Sequence, residues 1–267
     1  MFAKLNHLAI CSGNYAVNAR FYMALFGMKS SNNGRPARAV PVGDGQIGLN
    51  NIPRREGRRS GLDHFGFEVE DMKLALERIN KFDSKLQYVV RPSVRPNAAV
   101  SAHDPDMIIF DLAERNSGKA QDIFAENTGE LPQRYINHIV LRSREAERSA
   151  EFYSEVFELT VSNDHADGNW RLSDGRVSLV IMPWSMNNFI GHDPMPPQID
   201  HFGFKVESVA AIRKEMDDLI GVNPQFVTRP LGYGEEGAAR LGLLKQCPVG
   251  EFHLTDIEGV TIDVTEP

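Results

Sequence analysis

Along the chain, short runs of alternating apolar and polar residues give way to stretches where apolar residues recur every three or four positions. That change of period, from two to about 3.6, marks strands followed by amphipathic helices. In LNHLAI (5–10), Leu8 and Ile10 share one face and His7 takes the other. Phe21, Leu25 and Met28 then repeat at helical steps. Short strand-like runs flank Asp44-Gly45, a pair favoured in two-residue hairpin turns, and predict a hairpin there. LDHFGFEVED (62–71) starts a new strand, with Phe65, Phe67 and Val69 on one face and His64 and Gly66 on the other. MKLALERINKF (72–82) follows as a helix.

The whole cycle then recurs. INHIVL (136–141) repeats LNHLAI, and EFYSEVFEL (151–159) repeats RFYMALFGM (20–28). SDGRVSL (173–179) repeats GDGQIGL (43–49), and IDHFGFKVES (199–208) repeats LDHFGFEVED. DIEGVTIDV (256–264) closes the second copy as DPDMIIFDL (104–112) closes the first. Such self-similarity predicts two homologous halves, 1–114 and 134–267, joined by a polar linker at 115–133. Each half reads as two βαβββ modules. The expected fold is α+β, with four modules forming two tandem curved-sheet half-barrels and the helices outside.

Composition narrows the field of partners. A hydrophobic content of 42% and a charged content of 24% are those of a soluble globular protein. The formal net charge of −7, without a long basic run, argues against nucleic acid and anionic membrane. No window approaches the roughly 18 apolar residues of a membrane span, and the apolar start is too short for a signal sequence. Cys11 and Cys247 form neither a disulfide framework nor a CxxC site, so a cytoplasmic setting is expected.

The histidines carry the chemistry. His7 and His64 occupy the face opposite the apolar one, and so do His138 and His201 in the second half. Asp111 and Asp263 interrupt the closing apolar runs on that same face. A buried carboxylate beside neutral imidazoles is costly unless something positive joins them. Two histidines and one carboxylate with open positions are the facial triad of non-haem Fe(II) or Mn(II) sites. His138, His201 and Asp263 are the expected metal ligands, with a second set in His7, His64 and Asp111.

These N-H-[LI] and [LI]-D-H-F-G-F strands, with the closing D-x-[DE]-x-x-x-[IF]-D segments, resemble the vicinal oxygen chelate superfamily. It includes glyoxalases, bleomycin resistance proteins and type I extradiol dioxygenases. The resemblance covers nearly the whole chain and implies paired βαβββ barrels. Metal-dependent glyoxalases add a glutamate ligand where this chain has Gly48 and Ser178. Three protein ligands then remain, as in extradiol dioxygenases, whose working site lies in the C-terminal half. Those enzymes carry an acid/base histidine in the strand matching RVSLVIMPWS (176–185), which has none. The candidates for that role are His192, in GHDPMPP, and His253, where the resemblance implies a tyrosine ten residues before the carboxylate ligand.

The C-terminal half is the more elaborate. Asp111 follows His64 by 47 residues, whereas Asp263 follows His201 by 62. The excess falls around residues 231–253 and predicts a long loop at the mouth, offering Tyr233, His253, Arg229 and Arg240. The leading expectation is an extradiol-type ring-cleaving dioxygenase using Fe(II), or next Mn(II), with O2 and a catechol-like aromatic. His253 or His192 would move the proton and Tyr233 would orient the substrate. The alternative is a glyoxalase-like isomerase, epimerase or lyase, with Zn(II), Ni(II) or Co(II) stabilising an enolate. A metal-free small-molecule binding protein is the third reading. Exposed barrel edges favour a homodimer.

Overall fold

The computed structural model describes residues 1–30, 39–91, 97–117, 132–162, 167–184, 197–228, 234–244 and 250–267. The first half builds β1 (Ala3–Ser12), α1 (Tyr15–Phe26), β2 (Lys29–Ser30), β3 (Val40–Gly43) and β4 (Gly48–Pro53), then β5 (Gly61–Val69), α2 (Met72–Phe82), β6 (Tyr88–Val90), β7 (Val100–His103) and β8 (Ile109–Glu114). These strands form one open sheet in the order β2-β3-β4-β1-β5-β8-β7-β6. The second half repeats it with β9 (Tyr135–Ser143), α3 (Ala146–Phe157), β10 (Thr160–Val161), β11 (Trp170–Ser173), β12 (Ser178–Pro183), β13 (Gln198–Lys205), α4 (Val209–Val222), β14 (Phe252–Thr255) and β15 (Thr261–Thr265). Its order is β10-β11-β12-β9-β13-β15-β14. The fold is α+β in two tandem open sheets, and neither sheet closes into a barrel.

In each sheet the two histidine strands pair antiparallel at the centre, β1 with β5 and β9 with β13. Parallel neighbours flank them, β4 and β8 in one sheet and β12 and β15 in the other. The DHFGF phenylalanines point away from the histidines into the core, where Phe65, Phe67, Phe202 and Phe204 are fully buried. Each such ring contributes roughly 1.5–3 kcal/mol by leaving water.

The core is shared between the halves. Phe26 of α1 stacks on Phe204 of β13, and Phe157 of α3 stacks on Phe67 of β5, with centroids 3.8 and 4.2 Å apart. The helices lie outside the two histidine faces as expected, but α1 and α3 each pack against the opposite half.

Two sequence expectations change. Asp44 and Asp174 do not sit in two-residue hairpin turns, because Gly43 pairs with Gly48 and Ser173 with Ser178. Each aspartate caps its wider turn with one oxygen, accepting from Ile47 N or Val177 N. The other oxygen reaches the opposite half, where Asp44 Oδ2 accepts from Ile136 N at 2.7 Å and Asp174 Oδ2 from Leu5 N at 2.9 Å. The expected long loop contains α5 (Gly234–Leu244), so the fourth module carries an extra helix before its closing hairpin. A short 3-10 turn, Pro224–Phe226, follows α4.

Candidate metal centre

Each site histidine follows a bulged residue. The pairing of β1 with β5 skips Asn6 and Asp63, and that of β9 with β13 skips Asn137 and Asp200. A bulge adds one residue, breaks strict alternation and re-aims the side chains beside it. Asn6, Asp63, Asn137 and Asp200 therefore turn towards the histidines, although alternation would place them with the phenylalanines. Each holds the Nδ1 of the ring that follows it. The distances are 2.6 Å for Asn6–His7, 2.8 Å for Asp63–His64, 2.8 Å for Asn137–His138 and 2.6 Å for Asp200–His201.

A carboxylate can only accept, so Asp63 and Asp200 fix Nδ1–H on His64 and His201 and leave Nε2 as the lone-pair nitrogen. In the second half the Asn137 amide is oriented too, because its Nδ2 donates to Thr265 Oγ1 at 3.4 Å and its Oδ1 faces His138. Such outer partners set the tautomer of metal-binding histidines.

In the C-terminal half, His138, His201 and Asp263 are fully buried. One ligand atom from each lies within 4.8 Å of the other two. Asp263 Oδ2 is 2.9 Å from His201 Nε2 and 3.3 Å from His138 Nε2. On the other side, His253 Nε2 comes within 2.8 Å of Asp263 Oδ1 without hydrogen-bond alignment, and both atoms are buried without a hydrogen-bond partner among the described residues. Glycine makes the packing feasible: a Cβ on Gly203 would come 2.0 Å from His138 Cε1, and one on Gly250 would come 2.7 Å from Asp263 Cγ.

The electrostatics fit a cation. Burial lowers the pKa of His138, which Asp263 offsets in part. Burial raises that of Asp263, but His201, His138 and His253 outweigh it and hold the carboxyl well below its usual range. The imidazoles exert that pull only with a proton on Nε2; in the Nδ1–H tautomer that Asp200 and Asn137 favour, Nε2 presents a lone pair and a cation must supply the charge instead. A divalent ion bound by His138, His201 and Asp263 satisfies all three, and the residues present suit it. Ser178 lies beside His138 in the β9–β12 register and Gly48 beside His7 in β1–β4, so neither strand offers a carboxylate there.

The N-terminal triad has the same plan. His7, His64 and Asp111 also bring ligand atoms within 4.8 Å of one another. His64 Nε2 is 3.3 Å from Asp111 Oδ2, and a Cβ on Gly66 would come 2.1 Å from His7 Cε1. Burial, with His64 second, lowers the His7 pKa to about 3, so its ring is neutral. Asp111 Oδ1 accepts from Ser101 Oγ, which in turn accepts from Arg91 Nε at 2.7 Å. Ser101 holds the register place that His253 holds in the other half.

Of the other candidates, His192, Tyr233 and Arg229 lie outside the described residues, as does the Arg240 side chain. Arg142 went unnoticed in the sequence. It is buried on β9 and donates from Nε to Asp200 Oδ1 at 3.1 Å. Val140, Val180 and Met182 form a small buried apolar cluster on the face of His138. A signal for the bulged residues was present: Asn6, Asp63, Asn137 and Asp200 are polar at positions where alternation calls for apolar ones.

The fold and paired triads define a vicinal oxygen chelate scaffold. Residues 4–112 and 135–230 match the Glyoxalase/Bleomycin resistance protein/Dioxygenase superfamily, and the chain belongs to it. Among curated proteins, none matches in sequence. Solved structures share the fold. A Mn(II)-bound glyoxalase from Novosphingobium aromaticivorans has a TM-score of 0.63 at 14% identity over 99% of this chain and 82% of that one. Homoprotocatechuate 2,3-dioxygenase from Arthrobacter globiformis has 0.62 at 13% identity, over 100% and 80%. A xylose isomerase-like TIM barrel/4-hydroxyphenylpyruvate dioxygenase fusion protein has 0.59 at 18% identity, and this chain spans about half of it, 49%. At such identities the likeness is one of fold.

Proposed function

We propose that the protein is a metal-dependent enzyme whose working site is His138, His201 and Asp263, and that it cleaves catechol-like aromatics as an extradiol-type dioxygenase. The observation that carries this is the three-ligand set itself, with Ser178 beside His138 where a fourth carboxylate would be needed to fill the site. When bound, a divalent ion, Fe(II) first and Mn(II) next, supplies adjacent open positions for a substrate with two neighbouring oxygens and for O2. Asn137 and Asp200 hold the rings in the ligating tautomer. His253 Nε2 is the described group placed to hold a proton beside Asp263. His192 and Tyr233 are further candidates for proton transfer and substrate orientation. Val140, Val180 and Met182 offer an apolar wall that excludes water from one side.

That same wall supports a second reading, a glyoxalase-like isomerase, epimerase or lyase using Zn(II), Ni(II) or Co(II). Val180 and Met182, not histidine, occupy the His138 face of β12. The two halves, 1–114 and 134–267, work as one unit in this reading, since each anchors the first strand of the other. A homodimer is favoured by β6, an outermost strand that exposes Tyr88, Val89 and Val90. A free Cys11 suits a reducing cytoplasm, and no helix among the described residues is long and apolar enough to cross a membrane.

The test is anaerobic loading of metal-free protein with Fe(II), Mn(II), Zn(II), Ni(II) or Co(II), followed by O2 uptake on a panel of catechols. Uptake with Fe(II) or Mn(II) that disappears in His201→Ala is the expected result. No uptake, but metal-dependent solvent-proton exchange into an enolisable carbonyl, would replace dioxygenase with the second reading. No metal binding at all would remove both and leave a binding protein.

A further inference from the structure

The N-terminal triad is outside the site just described, and its structural cost is plain. Two bulges, at Asn6 and Asp63, interrupt the central strand pair of the first sheet. Gly66 is required because any side chain would collide with His7. Asp111 is buried at 4% exposure. Asp63 fixes Nδ1–H on His64, so His64 Nε2, 3.3 Å from an oxygen of Asp111, is the nitrogen open to a proton or a cation. Two acceptors held face to face repel unless a positive charge lies between them.

We propose that His7, His64 and Asp111 bind a second divalent cation of the borderline class, such as Zn(II), Co(II) or Fe(II), which favours mixed imidazole and carboxylate ligands. The three ligand atoms lie within 4.8 Å of one another, as in the other half. The His7 and His64 rings cross at 82° with centroids 5.5 Å apart, against 87° and 6.2 Å for His138 and His201. This ion is held differently. Asp111 offers one oxygen, because Ser101, itself held by Arg91, engages the other. The His64 side chain is 14% exposed and Asp63 is 41% exposed, whereas His201 and Asp200 are 0% and 4%. Water can therefore reach the N-terminal ion, which exchanges faster and binds more weakly than its counterpart. Ser101 stands where the second half has His253, so among the described residues no imidazole takes that place for proton transfer, and the ion's contribution is to the fold.

This inference does not depend on the proposed reaction. The test is a titration of metal-free protein with Co(II), read by ligand-field absorption and by elemental analysis after gel filtration. About two ions per chain are expected in the parent, one in His64→Ala, one in His201→Ala and none in the double variant. Asp111→Asn, close to isosteric and so a guard against misfolding, is expected to lose the same weak ion as His64→Ala. One ion in the parent that survives His64→Ala and Asp111→Asn but not His201→Ala would overturn the inference and leave the proposed function standing. An ion lost with His64→Ala and Asp111→Asn but kept in His201→Ala would sustain it and remove the C-terminal site instead.

Discussion

The two halves run one scaffold with two outer layers. Both place a bulge before each histidine, a glycine under the first ring and an aspartate on the closing strand. They part at the next layer. Cys11 stands in the register place of Arg142, and Ser101 in that of His253. The C-terminal site thus gains a buried Arg142–Asp200–His201 chain and a third imidazole at the carboxylate. The N-terminal site gains a Ser101–Arg91 relay and stays partly open. Ligand geometry comes from the strands, while charge and proton supply come from the neighbours, which the two halves vary independently.

The largest effect that breaks this comparison lies at the glycines. In Gly203→Ala the new methyl would meet His138 at 2.0 Å, and the fully buried ring has nowhere to retreat. Loss of the C-terminal ion and a stability loss of about 1–3 kcal/mol are expected in urea denaturation with metal analysis. Gly66→Ala should cost a similar amount but spare that ion, because its collision is with His7. If Gly203→Ala retains the ion, His138 is not a ligand.

A smaller effect separates the outer layers. Asp200→Asn should weaken C-terminal metal binding by about 10–100-fold, the usual cost of losing a carboxylate behind a ligating histidine, and it also strips buried Arg142 of its partner. Asp63→Asn should fall below that range at its own site, since Asp63 is 41% exposed and water replaces it. Competitive chelator titration of both variants measures the difference, and equal losses would dismiss the role given to burial and Arg142.

Much of this was legible in the sequence because the repeat shows every position twice. The core faces of the DHFGF strands follow from alternation, as the burial of Phe65, Phe67, Phe202 and Phe204 bears out, and alternation also groups the residues of each triad, whose ligand atoms lie within 4.8 Å of one another. The bulges were not legible by the same reasoning, since alternation assumes that no residue is skipped. Strict alternation would put Asp200 and Asn137 on the phenylalanine face, whereas the skipped pairing turns them towards the histidines. The contacts between halves were hidden for another. Asp44 and Asp174 have the sequence of ordinary turns, and nothing local shows that one oxygen of each bonds a strand more than 90 residues away. The DPDMI and DIEGV segments likewise act across the interface. Asp104 accepts from Tyr153 at 2.8 Å and Asp256 from Tyr22 at 2.9 Å.

Those reciprocal tyrosines give the next test. Tyr153→Phe leaves the buried Asp104 Oδ2 without this donor and should cost about 1–3 kcal/mol. Tyr22→Phe should cost less, because Asn18 Nδ2 still donates to Asp256 Oδ2 at 3.0 Å. Urea midpoints of the two variants decide it, and a larger loss in Tyr22→Phe would contradict the assignment of donors.

The smallest effect is one of pH. Burial, reinforced by the neighbouring Asp106, raises the Asp104 pKa from 3.8 to about 7, against the donors Ile108 N and Tyr153 Oη. The folded protein therefore holds this proton more tightly than the unfolded chain between those values. Its stabilising contribution is full below pH 3.8, declines as pH rises towards about 7 and is gone above that. Burial raises Asp256 too, against the donors Asn18 Nδ2, Val260 N and Tyr22 Oη. Between pH 5 and pH 8 the parent should lose more stability than Asp104→Asn, while Asp256→Asn should flatten the profile less. An Asp104→Asn profile parallel to the parent's would show that the carboxylate is ionised throughout, and the interface would then contain a permanent buried charge balanced by Tyr153 and the backbone amides alone.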